Sequence, residues 1–146
     1  MAADCVFCNE DLSKSTLFEG TYWNVLLNKE QQYLGRSFIM LKRHEEDVFK
    51  LSAEERDELW KLAKKTSDSL TELFHPDMYN YAFLMNTVRH VHLHVYPRYK
   101  EKRTFGGETF EDVKFGHNFA PYEKRELDEA LFGKIVDEMK RKFETG

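Results

Sequence analysis

Cysteine is scarce in this 146-residue chain, which has only two, Cys5 and Cys8. A framework of disulfides is therefore not what stabilises it. Neither sign of charge dominates. The formal net charge of −4 gives no electrostatic case for binding nucleic acid or an anionic membrane surface. No apolar run approaches the ~18 residues that a membrane span needs, and the N-terminus lacks the apolar core of a signal peptide. A soluble cytoplasmic protein is the expectation. Internal repeats, low-complexity stretches and linkers are also missing, so residues 1–146 are expected to form one domain.

What the chain does have is apolar and aromatic mass: 41% hydrophobic residues and 12 Phe, enough for a packed core. It also has an unusual stretch, Arg89-His90-Val91-His92-Leu93-His94-Val95-Tyr96-Pro97-Arg98. Alternation is the period of a strand with two unlike faces. Val91, Leu93 and Val95 are expected to enter a core, leaving His90, His92 and His94 on the other face. Neighbouring imidazoles on a strand lie about 6.6 Å apart and the outer two about 13 Å. All three therefore cannot bind one metal, although a pair with outside ligands could. The row could equally lay a phosphate chain along the strand. Imidazole suits attack on phosphorus because its free nitrogen is nucleophilic near neutral pH without first losing a proton.

The C-x-x-C spacing of Cys5 and Cys8 leaves three readings open: zinc, plain reduced thiols, or redox chemistry. Zinc would need two further ligands from elsewhere in the chain. Along the sequence, Thr16 to Phe18 and Tyr22 to Leu27 read as strands joined by Glu19-Gly20-Thr21, and Ser37 to Leu41 as a third. Ser52 and Glu55 form a capping-box pattern ahead of a long amphipathic helix carrying Leu59, Leu62, Leu70 and Leu73, which His75-Pro76-Asp77 stops. Tyr79 to Met85, a turn at Asn86-Thr87-Val88 and the histidine strand to Tyr96 read as a hairpin. An aromatic but loop-like region follows to about Glu123, then a helix over about 124–143. His75 and His117 have no companions at ligand spacing.

His90 to Tyr96 matches every position of His-φ-His-φ-His-φ-φ, where φ is apolar, and the chain thereby resembles the histidine-triad (HIT) superfamily. The resemblance takes in Cys5-Val6-Phe7-Cys8, Gly35 through His44, the long helix and Pro97-Arg98-Tyr99, about residues 5–100 in all. It implies an α+β fold: one antiparallel sheet of about five strands, a long helix and a C-terminal helix. It also implies a homodimer and a nucleotide hydrolase or transferase working at an α-phosphate. His92 would be the nucleophile and His94 a partner to the phosphate oxygens or leaving group. Asn28, Arg36 and Asn86 are candidate ribose or phosphate contacts, and Val6, Phe7, Trp23 and Leu27 candidate walls for the base. The resemblance also implies structural zinc on Cys5, Cys8, His44 and His90. The Pro97-Arg98-Tyr99 ending tilts the substrate towards dinucleoside polyphosphates, with nucleoside phosphoramidates as the alternative. A nucleotide sensor with little turnover, and an enzyme with a catalytic metal on His92 and His94, are the rival classes. The family's usual histidine after the glycine of the third strand is replaced here by Arg36, which can clamp phosphate but cannot act as an acid or base.

Overall fold

The computed structural model of the protein describes residues 2–145. In chain order its main elements are α1 (Val6–Asn9), β1 (Thr16–Glu19), β2 (Trp23–Leu27), β3 (Ser37–Leu41), α2 (Ala53–Phe74), β4 (Met78–Ala82), β5 (His92–Arg98), β6 (Arg103–Phe105), β7 (Glu108–Phe110) and α3 (Glu129–Thr145). Five strands make one antiparallel sheet in the order β1-β2-β3-β5-β4, and β6 and β7 form a separate hairpin. Among the described residues no helix is long and apolar enough to cross a membrane.

Alternation along each strand decides what lies above and below this sheet. Trp23, Val25 and Leu27 of β2, Ile39 and Leu41 of β3, and Leu93 and Val95 of β5 face the helices. There they bury against Leu59, Leu62, Leu70 and Phe74 of α2 and Ile135, Met139 and Phe143 of α3. The opposite parity (Leu26, Phe38 and Met40) builds a smaller cluster that Phe7 and Leu12 cover. His92 and His94 lie opposite Met40 and Phe38 in the β3–β5 register, so both belong to this second face. The sheet is thus a two-sided platform with helices behind and histidines in front.

Local chemistry sets the helix α2. Ser52 Oγ accepts from the Glu55 N–H and Glu55 accepts from the Ser52 N–H, which completes the expected capping box. Glu58 then accepts from the backbone N–H groups of Thr21, Tyr22 and Trp23 at 2.7–2.9 Å, tying the β1–β2 turn to the helix. Gly35, at φ +88°, lets the chain turn into β3 beneath α2; a Cβ there would lie 2.5 Å from Leu70 Cδ2.

Three boundaries differ from the sequence reading. Strand β5 begins at His92 rather than His90: the Val91 carbonyl still accepts from the Leu41 N–H of β3, but its own N–H is diverted to the Glu45 carbonyl. Strand β4 stops at Ala82, so nine residues rather than a tight turn connect it to β5. The last helix begins at Glu129, not near residue 124. Residues ahead of it pair with the 28–36 loop instead, through Glu30 opposite Glu126 and Gln31 N–H to the Arg125 carbonyl, and Asp128 then caps the Leu131 N–H.

Candidate active site and metal centre

The front face carries the chemistry. His92 Nδ1 lies 2.6 Å from the His90 carbonyl oxygen. A carbonyl can only accept, so Nδ1 carries the proton and Nε2 keeps a free lone pair. His92 is 4% exposed, with the Phe7 ring perpendicular to it at 4.8 Å between centroids and the His94 ring at 4.6 Å. Burial is the main cause holding the His92 pKa below its ordinary value, so the ring stays neutral. His94 is pushed down to about 3 by burial, then by His92 and by the Arg36 guanidinium. Its Nδ1 is buried and has no hydrogen-bond partner. Two adjacent neutral imidazoles, one with a fixed tautomer, are what attack on an electrophile and hydrogen bonding to its oxygens require.

Behind them lies a compact donor set. Cys5 Sγ, Cys8 Sγ, His44 Nδ1 and His90 Nδ1 all fall within 4.8 Å of one another. Their closer separations are 3.3 Å (Cys5–His90), 3.5 Å (Cys8–His44), 3.6 Å (Cys8–His90) and 3.2 Å (His44–His90). Those values suit the edges of a tetrahedron, about 3.3–3.8 Å for sulfur and nitrogen ligands on zinc. The outer ring nitrogens are engaged as well: His90 Nε2 with the Leu41 carbonyl at 2.6 Å and His44 Nε2 with Glu46 at 3.0 Å. These bonds leave both Nδ1 lone pairs turned inward, as metal-bound histidines need. The four residues fit a structural metal ion, and His92 and His94 are outside the group. Because His90 places its ring in the four-residue group and accepts from His92 through its carbonyl, the two groups share one residue.

A third feature lies beyond the triad. Residues 111–125 form a strap across the sheet end, held by Arg98, which is bidentate to Asp112 at 2.7 and 3.1 Å and donates to the Lys114 and His117 carbonyls. Phe119 stacks on Tyr96 at 4.1 Å, Tyr96 stacks on His94 at 5.5 Å, and the Tyr33 hydroxyl donates to the Phe119 carbonyl. Arg36, 4% exposed, is wedged between Tyr96 (4.7 Å) and Tyr122 (5.2 Å) and donates to Glu30, Gln32 and the Tyr96 hydroxyl.

The structure thus gathers Cys5, Cys8, His44 and His90 in one group, and Phe7, His92, His94 and Arg36 on one face. Other candidates lie elsewhere. Trp23 and Leu27 are fully buried on the helix side of the sheet, since strand parity puts Leu26 in front instead. Val6 is 41% exposed, beside a separate small cavity. Asn86 is exposed in the β4–β5 connection. The Asn28 side chain caps the Glu30 N–H of its own loop. Phe38, Met40 and Tyr96 were not singled out from the sequence, although their parity with Arg36 and the histidines marks that face. Phe119 is carried by tertiary packing that no local pattern announces.

An antiparallel five-strand sheet backed by two helices, with paired imidazoles in front, defines an α+β fold with a histidine-bearing face. Residues 10–101 match the family model for the HIT domain, and the chain belongs to that family. Solved structures of similar fold include a histidine triad protein from Sinorhizobium meliloti 1021, at 14% identity, 97% of this chain and 99% of that one, with a TM-score of 0.74. A Zn-bound histidine triad family protein from Mycobacterium smegmatis shares 18% identity over 99% of both chains, with a TM-score of 0.68. A HIT family protein from Bacillus anthracis shares 26% identity over 69% of this chain and 77% of its own, with a TM-score of 0.61. No curated protein matches the sequence significantly.

Proposed function

We propose that the chain is a nucleotide hydrolase that attacks the α-phosphate of dinucleoside polyphosphates through His92. The observation that carries this reading is the 2.6 Å bond from His92 Nδ1–H to the His90 carbonyl, which leaves Nε2 as the free lone pair. Nε2 forms a bond to the α-phosphorus while the P–O bond to the remaining phosphate chain breaks, the bridging oxygen leaving with the electron pair. Water then adds to phosphorus and loses a proton to solvent, and the P–N bond breaks with its pair returning to Nε2. His94, neutral beside it, donates to a phosphoryl oxygen or to the leaving oxygen, and the Arg36 charge behind His94 favours the phosphoryl anion. The Phe7 ring edge at His92 supplies the apolar wall nearest the reacting atom.

In the same reading Cys5, Cys8, His44 and His90 hold zinc. A bound zinc ion supplies cross-linking of the N-terminal knuckle to the triad rather than chemistry on substrate. The protein works as a homodimer paired through the free edge of β4, where Met78 and Tyr81, and Phe83 and Leu84 just beyond the strand, are exposed. Sedimentation of the purified chain tests this. The enzymatic reading is tested by incubating the chain with labelled dinucleoside polyphosphate and locating the adduct by mass spectrometry. The adduct is expected on His92, and His92→Asn is expected to lose at least about 10³-fold in turnover while still binding nucleotide. An adduct on another residue would sink the mechanism. Absence of turnover across dinucleoside polyphosphates and nucleoside phosphoramidates would instead favour a nucleotide sensor.

A further inference from the structure

His92 and His94 are neighbours, but their Nδ1 atoms meet different surroundings. His92 Nδ1–H donates to the His90 carbonyl at 2.6 Å, a partner that also suits an imidazolium. His94 Nδ1 is buried with no hydrogen-bond partner. Around His94 stand His92 and Tyr96 on β5, Ala82 across β4, and Phe38 on β3 with Arg36 just ahead of that strand. Of these only Arg36 carries a permanent charge. Its guanidinium lies 4.7 Å from the Tyr96 ring centre and donates to the Tyr96 hydroxyl at 3.1 Å, and the Tyr96 ring stacks on His94. Glu30 pairs with Arg36 at 3.4 Å, not with His94. Among the described residues no carboxylate bonds to His92 or His94.

These surroundings act against an imidazolium at His94. A second ring proton would leave a buried N–H with no acceptor, and the guanidinium repels added positive charge. Burial, then His92 and Arg36, hold the His94 pKa down at about 3. An orphaned buried N–H is rarer than an under-used acceptor, so the single proton sits on Nε2, the nitrogen that is not enclosed. A neutral imidazole N–H can hydrogen-bond an oxygen, but it is too weak an acid to give up its proton. We propose that Arg36 is a specificity-determining residue, which keeps His94 a hydrogen-bond donor rather than an acid and so restricts the site to leaving groups that depart as stable anions. It rests on the hydrolase reading, because only attack by His92 expels a leaving group. In a phosphoanhydride, His92 Nε2 bonds to phosphorus while the P–O bond breaks, its electron pair staying on an oxygen of a phosphate anion that needs no proton. In a phosphoramidate, the P–N pair would remain on an amide anion unless that nitrogen gained a proton, and neither imidazole supplies one. Arg36 acts through Tyr96 and His94 and is a positioning residue.

The test compares diadenosine tetraphosphate with adenosine phosphoramidate on the full chain. At neutral pH the wild type is expected to favour the anhydride at least about 100-fold in kcat/KM, the lower end of what a general acid contributes. Arg36→Met is expected to narrow that preference about tenfold, the change in protonated fraction for one pKa unit, whereas Arg36→Lys keeps it. Nitrogen NMR reads His94 directly. The ring is expected to be neutral, with the proton on Nε2, at about pH 5 in the wild type, and to titrate about one unit higher in Arg36→Met. Near-equal rates on the two substrates, or a protonated His94 at about pH 5, overturn the proposal in the wild type alone. An unchanged preference in Arg36→Met that is folded by circular dichroism overturns it as well. No turnover of either substrate overturns the hydrolase reading and the selection with it, while the His94 spectra still show whether Arg36 holds that ring neutral.

Discussion

Asp112→Ala is the most demanding perturbation of the strap. The Arg98 and Asp112 side chains are 2% and 0% exposed, and their carboxylate–guanidinium contact is bidentate. Asp112 also accepts from the backbone N–H groups of Tyr99 and Lys114 at 3.1 and 3.0 Å. Truncation leaves the Arg98 charge buried with only the Asn80 side chain and the Lys114 and His117 carbonyls as acceptors, and strands two amides. Breaking one partner of a buried pair costs about 3–5 kcal/mol. For a chain of this length that lowers Tm by roughly 10–16 °C. Urea titration followed by circular dichroism is the assay. The double change Arg98→Met with Asp112→Leu is expected to recover at least half of the loss, because it removes the uncompensated charge together with its partner. A single-site cost below about 1 kcal/mol, or a double change that costs as much as the sum of the two single ones, would refute the reasoning.

Three other outcomes follow from the same geometry. His94 has a folded pKa of about 3, below its unfolded value near 6.5, so the unfolded chain binds the extra proton between those pH values. Stability should therefore fall with acidification through that window, and His94→Gln should flatten the slope by up to about 1.4 kcal/mol per pH unit; identical slopes by urea titration would contradict the burial of His94. Gly35→Ala forces a side chain onto a φ of +88° and against Leu70, at an expected cost of about 1–3 kcal/mol, and an unchanged Tm would disprove the close approach. Prolonged chelation, or Cys5→Ser, should release bound metal and lower Tm by several degrees, read by metal analysis and calorimetry side by side. A wild-type chain that takes up no zinc would remove the case for the four-ligand group.

Much of the platform was legible because its signals are local. Apolar runs bounded by turn residues marked β2 and β3, alternation marked the histidine strand, and the Ser52–Glu55 box with its apolar spacing marked α2 to within a residue. The three-histidine pattern pointed to the family, and its alternation placed His92 and His94 on one face of β5. Where the sequence reading went astray, the cause was a competing long-range contact. His90 left the strand because its ring is drawn to Cys5, Cys8 and His44, and Val91 pairs with Glu45. Trp23 and Leu27 were taken for base-pocket walls, but odd positions of β2 face the helices.

By itself, then, the sequence determined the period of each element and the residues able to carry phosphorus chemistry, because period and side-chain chemistry are properties of neighbours in the chain. Only the tertiary structure decided that Arg36 is a buried wedge rather than an open phosphate clamp. It alone also brought Phe7 against His92 and folded residues 111–125 back through Arg98 to stack Phe119 on Tyr96. Those contacts join residues far apart in the chain, and their energy comes from burial and pairing that exist only once the sheet has formed.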